Sequence, residues 1–296
     1  MVERSCYIVK PDKGITEVAM KISNAIYYTP YEELEKRGVS FADYGQGKSY
    51  YNQLAPLFDA MNSREAYTGK EVKFLVHAAR LAGVNAQSFL DIACGAGRHA
   101  KILAEMGYTV WAIDTSERLL TVAKQSTHTE VHYANADMRT FDLEERFDCL
   151  YSLWDSYVYL SRSSDIQAFS QRCYSHLKPG GVLVLDAKNY WKPGLHNKLK
   201  RQVSRAGDLR IETIIRKQTH TQDKVYEALF TTVIHNLKNG HANVIVDQVL
   251  ARMYSLADLE SIFQGFELTG CYGDFDTSAK FQQESSDRLI VVLRKT

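Results

Sequence analysis

A carboxylate, Asp91, sits near the end of the apolar run Ser88-Phe89-Leu90-Asp91-Ile92, and Ala93-Cys94-Gly95-Ala96-Gly97 follows before Arg98-His99-Ala100. Gly95 and Gly97 give the turn access to positive φ and leave room for a ligand to approach the backbone closely. The start of a helix behind them offers free N–H groups. Such a turn holds a cofactor, and two kinds compete for it. Gly95-x-Gly97-x-x-Ala100 satisfies the dinucleotide spacing, and Asp114 follows at about 20 residues, where a ribose-binding acid is expected. A dinucleotide sets its pyrophosphate on this turn, where the helix dipole favours negative charge. Asp91 opposes that, because a carboxylate at the strand end repels phosphate. S-adenosylmethionine carries a sulfonium and an ammonium and no phosphate, so the same carboxylate suits it. The other reading of Asp91 is structural: it caps the turn or pairs with Arg98, since a buried carboxylate needs a partner.

The elements around this turn must deliver it to a sheet edge. A helix is predicted over Glu71–Ala82, a strand at Ser88–Ile92, and a helix over Arg98–Met106 that stops at Gly107. Ser116 caps a helix reaching Lys124, and another spans Asp165–Leu177. Strands alternate with these helices, which implies crossovers and a parallel sheet. Ligands of such sheets bind at the carboxyl ends of the strands, where Asp91, Asp114, Asp137 and Leu153–Ser156 are all expected.

Asp91-x-Ala93-x-Gly95-x-Gly97 resembles motif I of the class I S-adenosylmethionine-dependent methyltransferases, and the downstream order agrees. Val110-Trp111-Ala112-Ile113-Asp114 resembles the second strand, whose terminal acid, here Asp114 with Thr115 beside it, binds the donor ribose in that family. Asn135-Ala136-Asp137-Met138 resembles the loop that holds the adenine. Phe147–Leu153 resembles the fourth strand, and His176-Leu177-Lys178-Pro179-Gly180-Gly181 the turn into the fifth. The resemblance runs from about residue 70 to the C-terminus. It implies a donor site built from Asp91, Ala93, Gly95, Gly97, Asp114, Thr115, Asp137, Met138 and Leu153. Tyr50–Asp59 resembles the segment that folds over the bound donor in small-molecule methyltransferases. Tyr51 there either bonds the donor carboxylate, lines the acceptor pocket, or simply packs as part of an amphipathic helix.

In the family, the acceptor is set by the segment after the fourth strand, here Leu153-Trp154-Asp155-Ser156-Tyr157-Val158-Tyr159-Leu160. It lacks the Asn/Asp-Pro-Pro-Tyr/Phe motif of enzymes that methylate base nitrogens or glutamine amides. Methyl transfer needs an in-line approach and exclusion of water, and a protonated amine must first lose its proton. Asp155 and Tyr157 are the candidate groups for orienting or deprotonating an amine, although Asp155 equally suits a turn cap. Trp154 and Tyr159 are candidate walls of the acceptor site, since aromatic faces attract cations; ordinary core packing is their alternative. His99 is expected to pack or face solvent.

After Asp186 the pattern changes. Leu209–Thr219, Lys224–Asn236 and His241–Met253 read as three long strands, with Lys238-Asn239-Gly240 as a hairpin turn. Such an insertion resembles those of glycine and nucleotide-amino-sugar methyltransferases, where it walls the acceptor or pairs subunits. Nine basic residues between Lys188 and Lys217 against Asp208 and Glu212 either steer an anionic acceptor or form a solvated strand face. Phe266–Gly273 and Leu289–Arg294 supply the last two strands, a hairpin in the family.

Composition narrows the class further. The 296 residues, 45% hydrophobic, carry a net charge of +1, which gives no general footprint for nucleic acid. No apolar run reaches the length of about 20 residues that a membrane helix needs, and the first residues lack a signal-peptide core. Five cysteines without C-x-x-C spacing suit reduced thiols in a cytoplasmic enzyme and offer no metal site, and the histidines show no ligand spacing either. The expected fold is therefore α/β: a seven-stranded Rossmann-like sheet with a helical extension at 1–47, a donor-binding core at 48–190, an antiparallel insertion at 191–253 and the end of the core sheet at 254–296. The function expected is transfer of a methyl group from S-adenosylmethionine to a small molecule, an amine nitrogen first. A small-molecule O- or C-methyltransferase is the alternative and an RNA methyltransferase a more distant one. A homo-oligomer formed through the insertion or the N-terminal helices is compatible with the sequence.

Overall fold

A computed structural model of the chain describes residues 7–9, 51–52, 54–57, 61, 65–127, 129–194, 198–240 and 242–296. The helical extension expected at 1–47 lies outside the described residues, apart from strand β1 (Tyr7–Val9). In chain order there follow a 3-10 turn at Ala55–Leu57, α1 (Glu65–Leu81), β2 (Ser88–Ile92), α2 (Arg98–Glu105), β3 (Thr109–Asp114), α3 (Glu117–Ser126), β4 (His132–Asn135) and β5 (Phe147–Ser152). After a 3-10 turn at Tyr157–Tyr159 come α4 (Ser163–His176), β6 (Leu177–Lys188), β7 (Lys198–Ala206), β8 (Leu209–His220), β9 (Val225–Asn236), β10 (Ala242–Arg252), α5 (Leu256–Ile262), β11 (Phe266–Tyr272) and β12 (Arg288–Lys295). The chain divides into two compact units, one of Arg64–Pro193 with Tyr254–Thr296, the other of Gly194–Met253 with the described part of Met1–Ser63.

The larger unit carries a seven-stranded sheet in the order β11-β12-β6-β5-β2-β3-β4. Pairings are parallel from β6 through β4, and β12 runs antiparallel to both β6 and β11. The central strands are apolar because both faces are covered: Phe89, Leu90, Ile92, Cys149, Leu150, Tyr151 and Val182–Leu185 are all fully buried. From β2 the chain builds outward to β4, then returns to lay β5 on the other side of β2. This reversal opens the crevice in which such sheets bind ligands. Local signals set the helix ends. Ser116 Oγ accepts from Leu119 N at 3.2 Å, and Ser255 with Asp258 forms a capping box on α5. One expectation needs correction: Lys178–Gly181 is not a free turn. It lies within β6 as a bulge, Phe147 pairing with Leu177 and Cys149 with Val182. Gly180 at φ 72° permits the kink.

The smaller unit is a five-stranded antiparallel sheet, β1-β10-β9-β8-β7, rather than the three strands expected. Of the two further strands, β1 and β7, the alternation of β7 is hidden by Lys198, Lys200, Arg201 and Arg205, charges that suit an edge strand. Part of this charge is used within the sheet, Arg201 Nε lying 2.7 Å and Arg210 3.2 Å from the buried Glu212. The Asn239-Gly240 turn is present, with Gly240 at φ 71°. Leu54 packs against Ile245, with Tyr51, Met61, Phe230 and Ile234 around them. Among the described residues no helix is long and apolar enough to cross a membrane.

Candidate active site

The turn after β2 bends through three positive-φ residues, Ala93 (63°), Gly95 (57°) and Gly97 (75°). Asp114, the last residue of β3, ties it to the neighbouring strand. Its Oδ2 accepts from Gly95 N and its Oδ1 from Ser116 N, each at 2.8 Å. Its main-chain oxygen accepts from Ala136 N and Asn135 Nδ2 at 3.1 Å. Cys94 N completes the knot by donating to Ile113 O at 3.0 Å. Gly97 serves the interior of the fold: a Cβ there would fall 2.5 Å from Tyr133 Oη and 3.1 Å from Ala123 Cβ. Burial pushes the Cys94 thiol well above its usual range, so it fills space and is no nucleophile.

Asp91 is 3% exposed, and its Oδ2 makes no close hydrogen bond among the described residues. Burial raises its pKa to about 6, with the charge of His99 pulling the other way and Asp114 reinforcing the rise. Tyr151 stands in register beside it on β5, and its hydroxyl faces the Asp91 carboxylate and favours the charged form. Arg98 turns elsewhere, to Thr68 Oγ1 at 3.4 Å and to the Trp154 ring, 5.9 Å from its centroid. His99 does pack, but it also forms a buried pair: its Nε2 is 2.6 Å from Oε2 of the fully buried Glu71 on α1. Nothing local in the sequence marks Glu71. Its helical position reads as a polar residue at the start of an amphipathic run.

The turn after β5 also bends through positive φ, at Trp154 (58°) and Asp155 (63°), and neither is glycine. Side chains on two other strands hold it. Asp186 of β6, fully buried, accepts from Trp154 N at 2.9 Å through Oδ2, and its main-chain oxygen accepts from Asp155 N at 3.2 Å. Arg288 of β12 donates to both Asp186 oxygens through Nε and Nη2. It lies 4.0 Å from Asp155 Oδ2 and sits over the Trp154 ring at 5.0 Å. Asp155 Oδ1 accepts from Lys188 N. Burial pushes Asp186 upward, opposed by the Arg288 charge. Tyr67 meets Trp154 edge-on at 6.1 Å. Asp186 and Arg288 were not singled out in the sequence. Their pairing spans about a third of the chain, and only the sheet order brings β12 beside β6.

Asp91, Ala93, Gly95, Gly97, Asp114 and the exposed Thr115 thus gather at the adjoining ends of β2 and β3, with Asp137 and Met138 just past β4. Asp137 is drawn onto Arg139, whose Nη2 and Nε reach its two oxygens at 2.7 and 2.9 Å. Leu153, Trp154, Asp155, Tyr157 and Tyr159 follow β5. Leu153 is buried and Tyr159 partly so. Tyr157 is fully buried with an unpartnered hydroxyl, and burial near Asp186 and Asp155 holds its pKa well above the ordinary range. Tyr51 belongs to the smaller unit. Among the described residues no group of three or more His, Cys, Asp or Glu is arranged to hold a metal ion.

Residues 89–181 match the family model described as a methyltransferase domain. Among curated proteins, a dTDP-3-amino-3,6-dideoxy-alpha-D-glucopyranose N,N-dimethyltransferase from Streptomyces fradiae is 30% identical over 160 residues, 52% of this chain and 60% of the relative. A glycine/sarcosine N-methyltransferase from Aphanothece halophytica is 29% identical over 146 residues, 48% of this chain and 54% of the relative. The chain therefore spans little more than half the length of these relatives. Among solved structures, an S-adenosylmethionine-dependent methyltransferase from Clostridium acetobutylicum superposes with a TM-score of 0.69 at 19% identity, over 83% of this chain and 98% of the other. DesVI from Streptomyces venezuelae gives 0.65 at 21%, over 82% and 98%. These likenesses establish the fold.

Proposed function

We propose, from the match of residues 89–181 to a methyltransferase-domain family, that the chain transfers a methyl group from S-adenosylmethionine to the amine nitrogen of a small molecule, an amino sugar linked to a nucleotide. The observation that carries the donor is the buried Asp91 carboxylate beside the glycine turn, which faces the Tyr151 hydroxyl and forms no ion pair among the described residues. An unpaired buried charge is costly, and a ligand ammonium relieves that cost where a pyrophosphate would add to it. The residues present fit the donor in other respects. Asp114, held at the end of β3 by Gly95 N and Ser116 N, stands where the ribose-binding acid is expected, and a carboxylate can accept from ribose hydroxyls. Residues 135–138 offer an edge for the adenine, with Met138 partly buried and Asp137 neutralised by Arg139. The bound donor supplies an electrophilic methyl on sulfur.

The chain's own part is to orient the acceptor and exclude water, which in favourable cases is worth roughly 7–11 kcal/mol. Tyr157 stays a neutral phenol at physiological pH, so it serves as a hydrogen-bonding group and not as a base. Asp155 keeps one oxygen on Lys188 N, and the reading leaves its other oxygen to orient the amine. The amino-sugar class rests on curated relatives such as the Streptomyces fradiae enzyme, whose names carry dTDP-linked amino sugars.

The test is a donor-consumption assay of the full chain with dTDP-linked 3-amino and 4-amino sugars, glycine and a phenol, the methyl position being read by mass spectrometry. Turnover on a sugar nitrogen is expected. Turnover only on the phenol oxygen would move the reading to O-methylation. In calorimetry S-adenosylhomocysteine should bind and NAD should not; the reverse would overturn the donor assignment.

A further inference from the structure

Two consecutive residues other than glycine in the left-handed region form a costly backbone arrangement that persists only where its surroundings over-determine it. At Trp154 and Asp155 the determinants are visible. The Asp186 side chain takes Trp154 N, its carbonyl takes Asp155 N, and Lys188 N, from the same strand, takes the Asp155 carboxylate. Arg288 faces Lys188 across the β6–β12 ladder and lies diagonally from Asp186, which pairs with Ile290. From there one guanidinium grips both Asp186 oxygens, approaches Asp155 Oδ2 and lies over the Trp154 ring.

We propose that Asp186 and Arg288 are positioning residues for methyl transfer: as a buried pair they hold the Leu153–Ser156 turn in its left-handed form and so fix the Trp154 ring and the Asp155 carboxylate against the acceptor. The consequence for the acceptor rests on the methyl-transfer reading given above, while the holding of the turn does not. Stability alone is a poor explanation for the pair. A buried ion pair commonly gives no more stability than well-packed apolar side chains, and its better-attested use is to select one arrangement. The residue types fit that use. Only arginine offers a planar fork for both carboxylate oxygens together with a face that stacks on an aromatic ring. Asp186 is 0% and Arg288 8% exposed, so neither is available to bind a diffusing ligand directly, and both act through the turn.

The experiment uses the full chain with Trp111 and Trp191 replaced by Phe, which leaves Trp154 as the remaining tryptophan of the three. Arg288→Lys keeps a charge for Asp186 but loses the fork, and so guards against the misfolding that Arg288→Met invites. Acrylamide quenching of Trp154, calorimetry with S-adenosylhomocysteine, and kcat and KM on the dTDP-linked amino sugar are measured together. In the lysine variant Trp154 should become more accessible to quencher. Acceptor kcat/KM should fall on the order of 100-fold, as for an ångström-scale misplacement, with donor-product affinity unchanged. Asp186→Asn should move the same readouts in the same direction. Unaltered quenching and unaltered kcat/KM in both variants would overturn the proposal, and so would a loss of donor-product affinity that parallels the loss of activity. Failure of the parent chain to bind S-adenosylhomocysteine or to methylate the sugar would instead strike the methyl-transfer reading, and quenching would still decide whether the pair holds the turn.

Discussion

The turns after β2 and after β5 solve one backbone problem by different means. Both leave the carboxyl end of a central strand through positive φ. The first does so at Ala93, Gly95 and Gly97, and two of the three residues bear no Cβ. The second does so at Trp154 and Asp155, where each left-handed residue costs roughly 1–2 kcal/mol, and a buried ion pair drawn from β6 and β12 holds it. A turn written in glycine is local and reads directly from sequence. A turn written in long-range contacts frees its side chains to face a ligand, at the expense of depending on residues more than thirty positions away. On the methyl-transfer proposal, the first turn serves a donor common to many enzymes and the second an acceptor peculiar to one.

Substitutions can break or sharpen this contrast. The largest effect should come from Gly97→Ala, which forces a left-handed alanine and drives its Cβ toward Tyr133. Strain and overpacking together should cost about 3 kcal/mol in urea unfolding. Adding Tyr133→Phe should recover part of it; a silent Gly97→Ala would mean that the first turn does not depend on its glycine. Next comes Asp91→Asn, expected to weaken S-adenosylhomocysteine binding roughly 100-fold by removing the charge opposite its ammonium. The same change should stabilise the unliganded protein. A folded pKa of about 6 against the ordinary carboxylate value of 3.8 means that stability from this group is full below pH 4 and lost as pH rises through 6. Melting temperatures of the parent and the variant should therefore converge near pH 4 and separate above pH 7. In the parent, donor-product affinity should fall as pH drops below about 6, where Asp91 gains its proton. A flat profile from pH 5 to 8 would detach Asp91 from the ligand ammonium.

Asp114→Ala should lower donor-product affinity about 10-fold, since it removes hydrogen bonds to a charged acceptor, and it also leaves Gly95 N and Ser116 N without their partner. Ala93→Gly should have the smallest effect. Relief of the left-handed strain is offset by the greater freedom of glycine in the unfolded chain, and the net change should stay within about 1 kcal/mol. A destabilisation well beyond that would show that the Ala93 methyl packs in a way that glycine cannot replace.

Much of the larger unit was legible because its signals are local. Ser116 caps the helix that its type predicted, and apolar runs mark β2, β5 and β6. The acidic ends of β2 and β3 fall where the strand-turn-helix spacing puts them. The failures are equally physical. β7 was hidden by the charges that protect an edge strand. Lys178–Gly181 carries turn residues but serves as a bulge, since pairing with β5 resumes on both sides of it. Glu71 and His99 meet at 2.6 Å across two helices whose contact no periodicity reveals.

The sequence by itself determined the alternation of strands and helices in the larger unit, the glycine turn and the carboxylate that favours a cationic donor over a phosphate, because these depend on residue type and short spacing. Only the tertiary structure decided what faces the buried Asp91 carboxylate, which way Asp137 turns, and what holds Trp154 and Asp155 in place. Those depend on burial and on strands that lie side by side in space while far apart in the chain. Desolvation and long-range pairing exist only once the sheet has closed around them.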